Sequence, residues 1–555
     1  MKKVLGILLT AALLLALPAG TTVHAEGYDP IMKIGLFYDS NALVAANLQN
    51  VSGTGEGYSF GYFDAEREFV PTYEVYDENK ITVLKNVNLW QTGNDYLESM
   101  PGSYNSAVGA YCLQVDALFY DADEALEAAE DFESAGFEAY LCYVRGGFRV
   151  RVGKYLSAEE ASSARSSAQR VGYDLVQRGP SSTCYTVVVT GTDRILYQLD
   201  LLGDFPLGIM PMSRQTWFKQ TKYYGGFEYY RPAGGNLNVI NVIGLTDYVK
   251  GVIPYEISPS WPVEAQKAMA LCAKCYALNN YHKHSAKGFD LCNTTDCQVY
   301  RGTNGATSVS DEAVEDVNGR YVVYRGEICE TFYHASSGGY TEDAVNIWGK
   351  DIPYLRAVED TYLERMLPYS NTITLDDISW ILQAKGYTTQ RITDVYVSRY
   401  SAVGNVIELT AVQANGQRLV FSGDRARTAL NSPTRGVTVG SHRYTITGGA
   451  GGSTVSVNGA ATQTGGLYAV GGNGKTAPLD AGSAYVITAN SVVPLQITQN
   501  SGGTPGTYRL EGTGSGHNIG MSQWGAYSMG QKGFSCEEII SFYYTGATVS
   551  YYDPN

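Results

Sequence analysis

The spacing of apolar and polar residues predicts a small α/β unit in residues 110–176. Apolar residues recur every three or four positions in two stretches, as on one face of a helix, and the stretches around them alternate like strands. The sequence pattern for the fourth and last strand is weaker than for the other three. A βαββαβ order is typical of a split sheet with both helices on one face. The predicted elements before that last strand are Tyr111–Leu118 (strand), Asp121–Ala135 (helix), Phe137–Val144 and Phe148–Val152 (strands) and Ala158–Val171 (helix).

The rest of the chain mixes short strands with a few helices. Residues 26–105 show short β segments and Gly-rich turns, and residues about 448–506 are poor in charge and rich in Gly, Ser and Thr, which favours an inserted β structure. We therefore expect an α+β multidomain protein. Its parts are a β-rich region (26–105), the βαββαβ module (106–180) and a mixed, β-rich domain (181–555) that carries the insertion.

An apolar run near the start of the chain predicts export. Lys2 and Lys3 precede the apolar run Val4–Leu17, and small residues follow up to Ala25, as in a secretory signal peptide covering residues 1–25. No later stretch has the roughly 18 apolar residues that a membrane span needs. The sequence therefore predicts a secreted, extracytoplasmic protein with no membrane span in the mature chain.

Composition limits the possible ligands of the protein and indicates the oxidation state of its cysteines. The net charge of −15 argues against nucleic acid as a ligand. The nine cysteines are an odd number, so a complete disulfide framework would leave one thiol over. Reduced thiols with one metal site fit this count better.

Glu256 is the best candidate for an acid catalyst. It stands in Gly-Val-Ile-Pro-Tyr-Glu-Ile, and apolar neighbours such as Ile253, Ile257 and Trp261 would raise its pKa and keep it protonated near neutral pH. The alternative is a glutamate that only flanks a helix. Asp247 and Glu264 are the competing acids, and Glu264 is explained by the start of a helix.

A glycine-rich loop near the C-terminus, GTGSGHNIGMSQWGA, fits none of the common catalytic loops. It lacks the lysine of a phosphate-binding loop, and its glycines have the wrong spacing for a dinucleotide fingerprint or a serine nucleophile elbow. The stretch runs from Gly512 to Ala526. The alternatives are a tight turn that closes a β structure and a backbone that approaches a ligand.

Four stretches in order resemble the family of stage II sporulation protein D and the amidase enhancers. They are LTDYVKGVIPYEISPSWPVEAQKAMA, LCNTTDCQVYRG, FYHASSGGYTEDAVNIWG with PYLRAV after it, and the glycine-rich loop. The module at 106–180 resembles a SPOR domain, through CLQVDALF and GFRVRVGKYLSAEEA. Both resemblances imply binding to the glycan strands of peptidoglycan.

The family resemblance also implies roles for individual residues. It makes Glu256 the catalytic glutamate and implies substrate contacts from Tyr333, Ser336, Ser337, His517, Gln523 and Trp524. Asn518 stands where the family usually has glycine. The family's zinc-binding members resemble the stretch around the close cysteine pair, which implies a structural zinc. Its expected ligands are His284, Cys292, Asp296 and Cys297, with Asp296 in place of a family histidine. A local disulfide or two buried thiols are the alternatives.

Two functions follow from the resemblance. In the first, the protein is a lytic transglycosylase that cleaves MurNAc–GlcNAc bonds in peptide-free glycan, in cell-wall remodelling linked to sporulation. One acid suffices for that reaction, whereas a hydrolase normally needs two carboxylates, of which Asp247 would be the second. In the second, the protein binds glycan without cleaving it and stimulates a peptidoglycan amidase as its partner.

Overall fold

The structure is a computed structural model that describes residues 28–449 and 506–552, together with the backbone of short strands between residues 454 and 498. The predicted signal peptide and most of the predicted insertion lie outside the described residues. Helices and strands are mixed along the described chain, as expected of an α+β protein. In the part that the structure describes, no helix is long and apolar enough to cross a membrane.

Two large sheets form the N-terminal half. The first has seven strands, in the spatial order Leu291–Cys292, Ile31–Phe37, Asn238–Gly244, Gly226–Tyr230, Leu207–Pro211, Tyr58–Phe63 and Phe69–Val75. The second has ten strands, in the order Leu175–Arg178, Tyr111–Val115, Gly147–Tyr155, Ala139–Val144, Ile195–Asp200, Tyr185–Val189, Lys80–Lys85, Ala45–Asn50, Thr216–Phe218 and Thr221–Tyr223.

Both sheets cross the boundaries that the sequence suggested. Ile31–Phe37 belongs to the region 26–105, yet it pairs antiparallel with Asn238–Gly244 from the C-terminal part. In the same way, Ala139–Val144 of the module 106–180 pairs parallel with Ile195–Asp200. The predicted segments therefore share sheets instead of each closing its own.

The module at 106–180 has helices Ala122–Ser134 and Ala158–Ala168 beside its four strands. Asp121 and Ser157 begin these helices, each accepting a hydrogen bond from a backbone N–H in the first turn. The likeness of this module to a SPOR domain stays a prediction.

A buried polar ladder ties the module to the strands that follow it. The Arg151 side chain is 7% exposed, and its guanidinium donates to the side-chain oxygens of Gln114, Gln198 and Asp200, at 3.3, 2.5 and 3.3 Å. Gln198 donates in turn to the Thr186 hydroxyl at 2.8 Å. A buried charge is stable only when it is paired and hydrogen-bonded, so the ladder fixes the register across the boundary.

A central helix, Val263–Asn279, organises the region that follows. Residues on all faces of this helix are buried, which explains why it is rich in alanine, leucine and cysteine. It contacts the helices Leu245–Lys250, Ser308–Glu315, Gln523–Gln531 and Cys536–Tyr543. The last of these begins at the predicted capping box, in which Ser535 and Glu538 each bond the other's backbone.

A smaller lobe has its own hydrophobic core. Two three-stranded sheets build it, Pro368–Thr374 with Thr507–Thr513 and Tyr444–Gly448, and Ile392–Tyr400 with Val406–Gln413 and Arg418–Ser422. Its helices are Leu375–Ala384 and Asp424–Thr428. Outside the lobe, the short strands Tyr333–His334 and Met521–Ser522 pair in parallel and bring two distant motifs together.

We expect Arg151→Met to destabilise the whole protein, because the change leaves Gln114, Gln198 and Asp200 without their donor. Breaking a buried charge network typically costs about 3–5 kcal/mol, which urea unfolding would detect as one lower transition. Arg149→Met is the matched control on the same strand, where the side chain is 23% exposed. If both variants unfold alike, or if the module 106–180 unfolds in a separate transition, the ladder does not join the two parts.

Candidate functional site

Glu256 lies where the four ordered stretches of the sequence meet, next to Val299, Tyr333 and Gln523. It is the last residue of the short helix Ile253–Glu256, and it is partly buried. Burial raises the pKa of Glu256 above its ordinary value, while hydrogen bonds from the Val299 backbone and from the Tyr333 and Gln523 side chains act in the opposite direction. The carboxyl is thus shielded from water and still surrounded by donors.

A directed chain of hydrogen bonds leads to this carboxyl. The Tyr248 hydroxyl donates to the Gln298 side-chain oxygen at 3.3 Å, and the Gln298 amide donates to the Tyr333 hydroxyl at 3.2 Å. Because the Tyr333 oxygen accepts from Gln298, its own proton is free to point at Glu256. Burial, and then the charge of Glu256, hold the pKa of Tyr333 well above its usual range, so it remains a donor.

Gln523 holds the other side of the site. Its side-chain amide donates to the Glu256 carbonyl at 3.2 Å, and it begins the helix Gln523–Gln531, whose first turn Ser522 caps. Tyr333 and Gln523, both predicted to bind substrate, are thus brought to Glu256. Sequence reasoning missed Gln298 and Tyr248, although Gln298 directly follows Cys297 and could have been found from that position.

Trp524, the residue after Gln523, is part of an aromatic cluster. Its ring centroid lies 4.7 Å from that of Trp261 and 5.4 Å from that of Tyr527, and all three rings are partly exposed. The Arg365 guanidinium lies over the Trp524 ring, with its carbon 4.2 Å from the ring centroid. The predicted stacking surface of Trp524 is therefore covered on one face by a cation.

Ser336 and Ser337 differ from the expected sugar contacts, because both are fully buried. The Ser336 hydroxyl donates to the Arg365 carbonyl at 3.0 Å, and the Ser337 hydroxyl donates to a carboxylate oxygen of Asp360 at 2.7 Å. Asp360 also accepts from the Tyr543 hydroxyl at 2.8 Å. These serines hold the backbone of the site in place instead of facing a ligand.

His517 also lies away from Glu256. Its ring packs near Phe332, His334 and Trp348, with centroids 6.4, 5.5 and 5.2 Å away. Side chains alternate along a strand, so Phe332 and His334 point to the side opposite Tyr333. Burial lowers the pKa of His517 to about 4, which keeps the ring neutral at ordinary pH.

The glycine-rich loop approaches the protein's own backbone. A Cβ on Gly514 would lie 2.7 Å from the Ser336 carbonyl oxygen, and one on Gly520 would lie 2.1 Å from the Phe332 carbonyl oxygen. Both glycines also have positive φ. Asn518 has φ of 63°, which asparagine tolerates well, and its amide donates to the Ser337 carbonyl at 2.7 Å. The loop locks the two motifs together, which differs from the glycan contact that the sequence suggested.

Asp247, the second acid considered from the sequence, has a partner of its own. Its carboxylate lies 2.6 Å from the Lys250 ammonium, which also contacts Glu315 at 2.5 Å. Glu264 is bonded to the Cys536 backbone N–H at 2.7 Å and lies 3.0 Å from Lys267. Both acids are thus engaged in structural contacts.

The four residues expected to bind zinc converge. One ligand atom from each of His284, Cys292, Asp296 and Cys297 lies within 4.8 Å of all the others. His284 Nε2 is 3.3 Å from Cys297 Sγ and 3.2 Å from an Asp296 oxygen. Zinc–ligand bonds of roughly 2.0–2.3 Å give tetrahedron edges of this size, so the residues fit the ion. All nine cysteines are free and buried, so Cys292 and Cys297 form no disulfide.

We expect Asp360→Asn to lower the free energy of unfolding by about 2–3 kcal/mol, because hydroxyl donors lose a charged acceptor in a buried position. The neighbouring exposed carboxylate in Glu359→Gln is the control, with a change within about 0.5 kcal/mol. Urea unfolding measures both. Equal stabilities of the two variants would mean that Asp360 does not hold Ser337 and Tyr543 together.

Comparisons with known proteins place this site in context. Residues 233–324 match the family model described as Stage II sporulation protein. An uncharacterized protein of Brachyspira hyodysenteriae is 28% identical over 60% of this chain and 73% of its own length. The stage II sporulation protein D of Bacillus subtilis (strain 168) is 25% identical over 58% of this chain and 78% of its own.

A third relative is the amidase enhancer of Bacillus subtilis (strain 168). It is 28% identical over 55% of this chain, and the match covers 40% of the relative's length. The chain therefore spans less than half of that protein. The match to the family model, residues 233–324, includes Glu256, Gln298 and the four residues His284, Cys292, Asp296 and Cys297.

Proposed function

We propose that the protein is an extracytoplasmic lytic transglycosylase that cleaves MurNAc–GlcNAc bonds in peptide-free glycan strands of the cell wall. The observation that carries the proposal is the Glu256 carboxyl, whose pKa is raised by burial while three donors surround it. Its relatives named stage II sporulation protein D and amidase enhancer support a role at the cell wall.

The reaction needs one group that gives and then takes a proton. The Glu256 carboxylic acid protonates the glycosidic oxygen, and the bond between that oxygen and C1 of MurNAc breaks. The resulting carboxylate then takes the proton of the MurNAc 6-hydroxyl as this oxygen bonds to C1, which leaves a 1,6-anhydro end. The proton returns to Glu256, so the cycle consumes no water.

The surroundings of Glu256 suit both halves of this cycle. Burial favours the protonated acid before bond cleavage. The hydroxyl of Tyr333 and the amide of Gln523 then stabilise the carboxylate that forms, and the chain through Gln298 keeps the Tyr333 proton directed at it. Asp247 is occupied by Lys250, which favours a one-acid mechanism over an inverting hydrolase.

We further propose that zinc is bound at His284, Cys292, Asp296 and Cys297 and has a structural role. Cys297 is followed directly by Gln298 and Val299, which bond Tyr333 and Glu256. An ion at this cluster would fix the segment that positions these donors. The thiolates of Cys292 and Cys297 and the carboxylate of Asp296 would balance the charge of the zinc ion. The proposed reaction does not use this ion in any chemical step.

The second candidate function is a glycan-binding protein that stimulates a peptidoglycan amidase. The relative named amidase enhancer favours it, at 28% identity. In that case Glu256 would contact glycan without cleaving it. Stimulation of an amidase by wild-type protein that releases no product of its own would support this function over the first.

We expect Glu256→Gln to abolish turnover of peptide-free glycan and to leave glycan binding intact, since the change removes only the transferable proton. General acid–base groups contribute about a hundred- to ten-thousandfold in rate. In the wild type, kcat/KM should fall as pH rises through the raised pKa of Glu256, because the acid must be protonated. Asp247→Asn is the control and should keep this pH profile; a requirement for both acids would favour the hydrolase.

We expect about one zinc per chain in protein purified without chelator, and its loss from Cys292→Ser, because thiolate is a primary zinc ligand. Elemental analysis measures both. Cys112→Ser, which removes a buried thiol outside the cluster, should keep its zinc. Protein without stoichiometric zinc, or with a disulfide between Cys292 and Cys297, would contradict the site.

A further inference from the structure

The aromatic cluster around Trp524, which Gln523 links to Glu256, carries a positive charge on one face. Arg365 is exposed, and its guanidinium lies over the ring of Trp524, the residue directly after Gln523. Trp261, five residues after Glu256, packs against the same ring. A sugar that approaches Glu256 across this cluster therefore meets a guanidinium as well as aromatic carbon.

The position of Arg365 is fixed before a ligand arrives. Its carbonyl accepts the hydroxyl of the buried Ser336, and the backbone N–H of Trp524 donates to the Ala335 carbonyl at 3.0 Å. The arginine backbone and the ring beneath its guanidinium are thus bonded to the same turn. Stacking on an aromatic face also restricts the side chain without using its hydrogen-bond donors.

The guanidinium also keeps its charge available. In residues 28–449 and 506–552, no carboxylate lies within ion-pair distance of Arg365, and the adjacent Glu364 is bonded to Lys532 instead. Among the described residues the guanidinium therefore has no acidic partner, and it lies over the ring of the residue that follows Gln523, whose amide bonds the Glu256 carbonyl. Its donors form a planar fork that suits a carboxylate.

Peptide-free glycan carries such a group on every MurNAc. The lactyl substituent ends in a free carboxylate when the stem peptide is absent, and in a neutral amide when the peptide is attached. We propose that Arg365 binds the lactyl carboxylate and so determines the specificity for peptide-free strands. This inference rests on the proposed function, because it takes the glycan to be the ligand at Glu256.

Binding measurements on the full chain with Glu256→Gln test this role without cleavage of the glycan. The probes are peptide-free glycan and the same glycan after its lactyl carboxyls have been coupled to glycinamide, which makes them neutral. We expect Arg365→Gln to weaken binding to the charged glycan about fivefold, the upper range for an exposed ion pair, and to leave the Kd for the neutral glycan unchanged. Arg365→Lys should recover part of the loss.

Arg325→Gln is the matched control, because Arg325 is also exposed and also lies over an aromatic ring, that of Tyr324, in a distant hairpin. It should bind both probes like the parent. Equal weakening of Arg365→Gln on both glycans, or no weakening on the charged one, would overturn the role of Arg365 while leaving glycan binding in place. A parent protein that binds neither probe would contradict the proposed function itself, and the inference with it.

Discussion

The account depends on the partial burial of one carboxyl group. A carboxylic acid that stays protonated near neutral pH must be partly buried, yet the glycosidic oxygen that it protonates must still be able to reach it. Glu256 meets both demands because it ends a short helix whose surroundings come from Val299, Tyr333 and Gln523. These residues are far apart in the sequence, so the electrostatics of the site are a product of the tertiary fold.

Much of the remaining structure holds those partners in register. The parallel pairing of Tyr333–His334 with Met521–Ser522 joins the third and fourth motifs. Asp360 accepts from Ser337 of the third motif and from Tyr543 of the C-terminal helix. The glycine-rich loop closes against the same turn, because its glycines leave room for the backbone of Ser336. Ser336 and Ser337, which the sequence suggested as ligand-binding residues, instead make internal hydrogen bonds that hold the backbone near Glu256 and Tyr333.

The sequence predicted local features better than long-range ones. The helix bounds and the capping box at Ser535 follow from spacing, which depends on neighbours in the chain. The convergence of His284, Cys292, Asp296 and Cys297 was expected from the family resemblance. Spacing cannot tell that Ser337 points at Asp360 or that His517 lies behind the strand, because both depend on which face a distant segment covers. The sequence did not predict the sheets that cross the domain boundaries, because strand pairing also depends on segments far apart in the chain.

The most direct test of the central claim is digestion of peptide-free glycan by the wild-type protein in water enriched in oxygen-18, followed by mass spectrometry of the products. Attack by the 6-hydroxyl predicts 1,6-anhydro ends that carry no oxygen from the solvent. Reducing ends that contain oxygen-18 would contradict a one-acid lytic reaction at Glu256, as would the absence of any cleaved product.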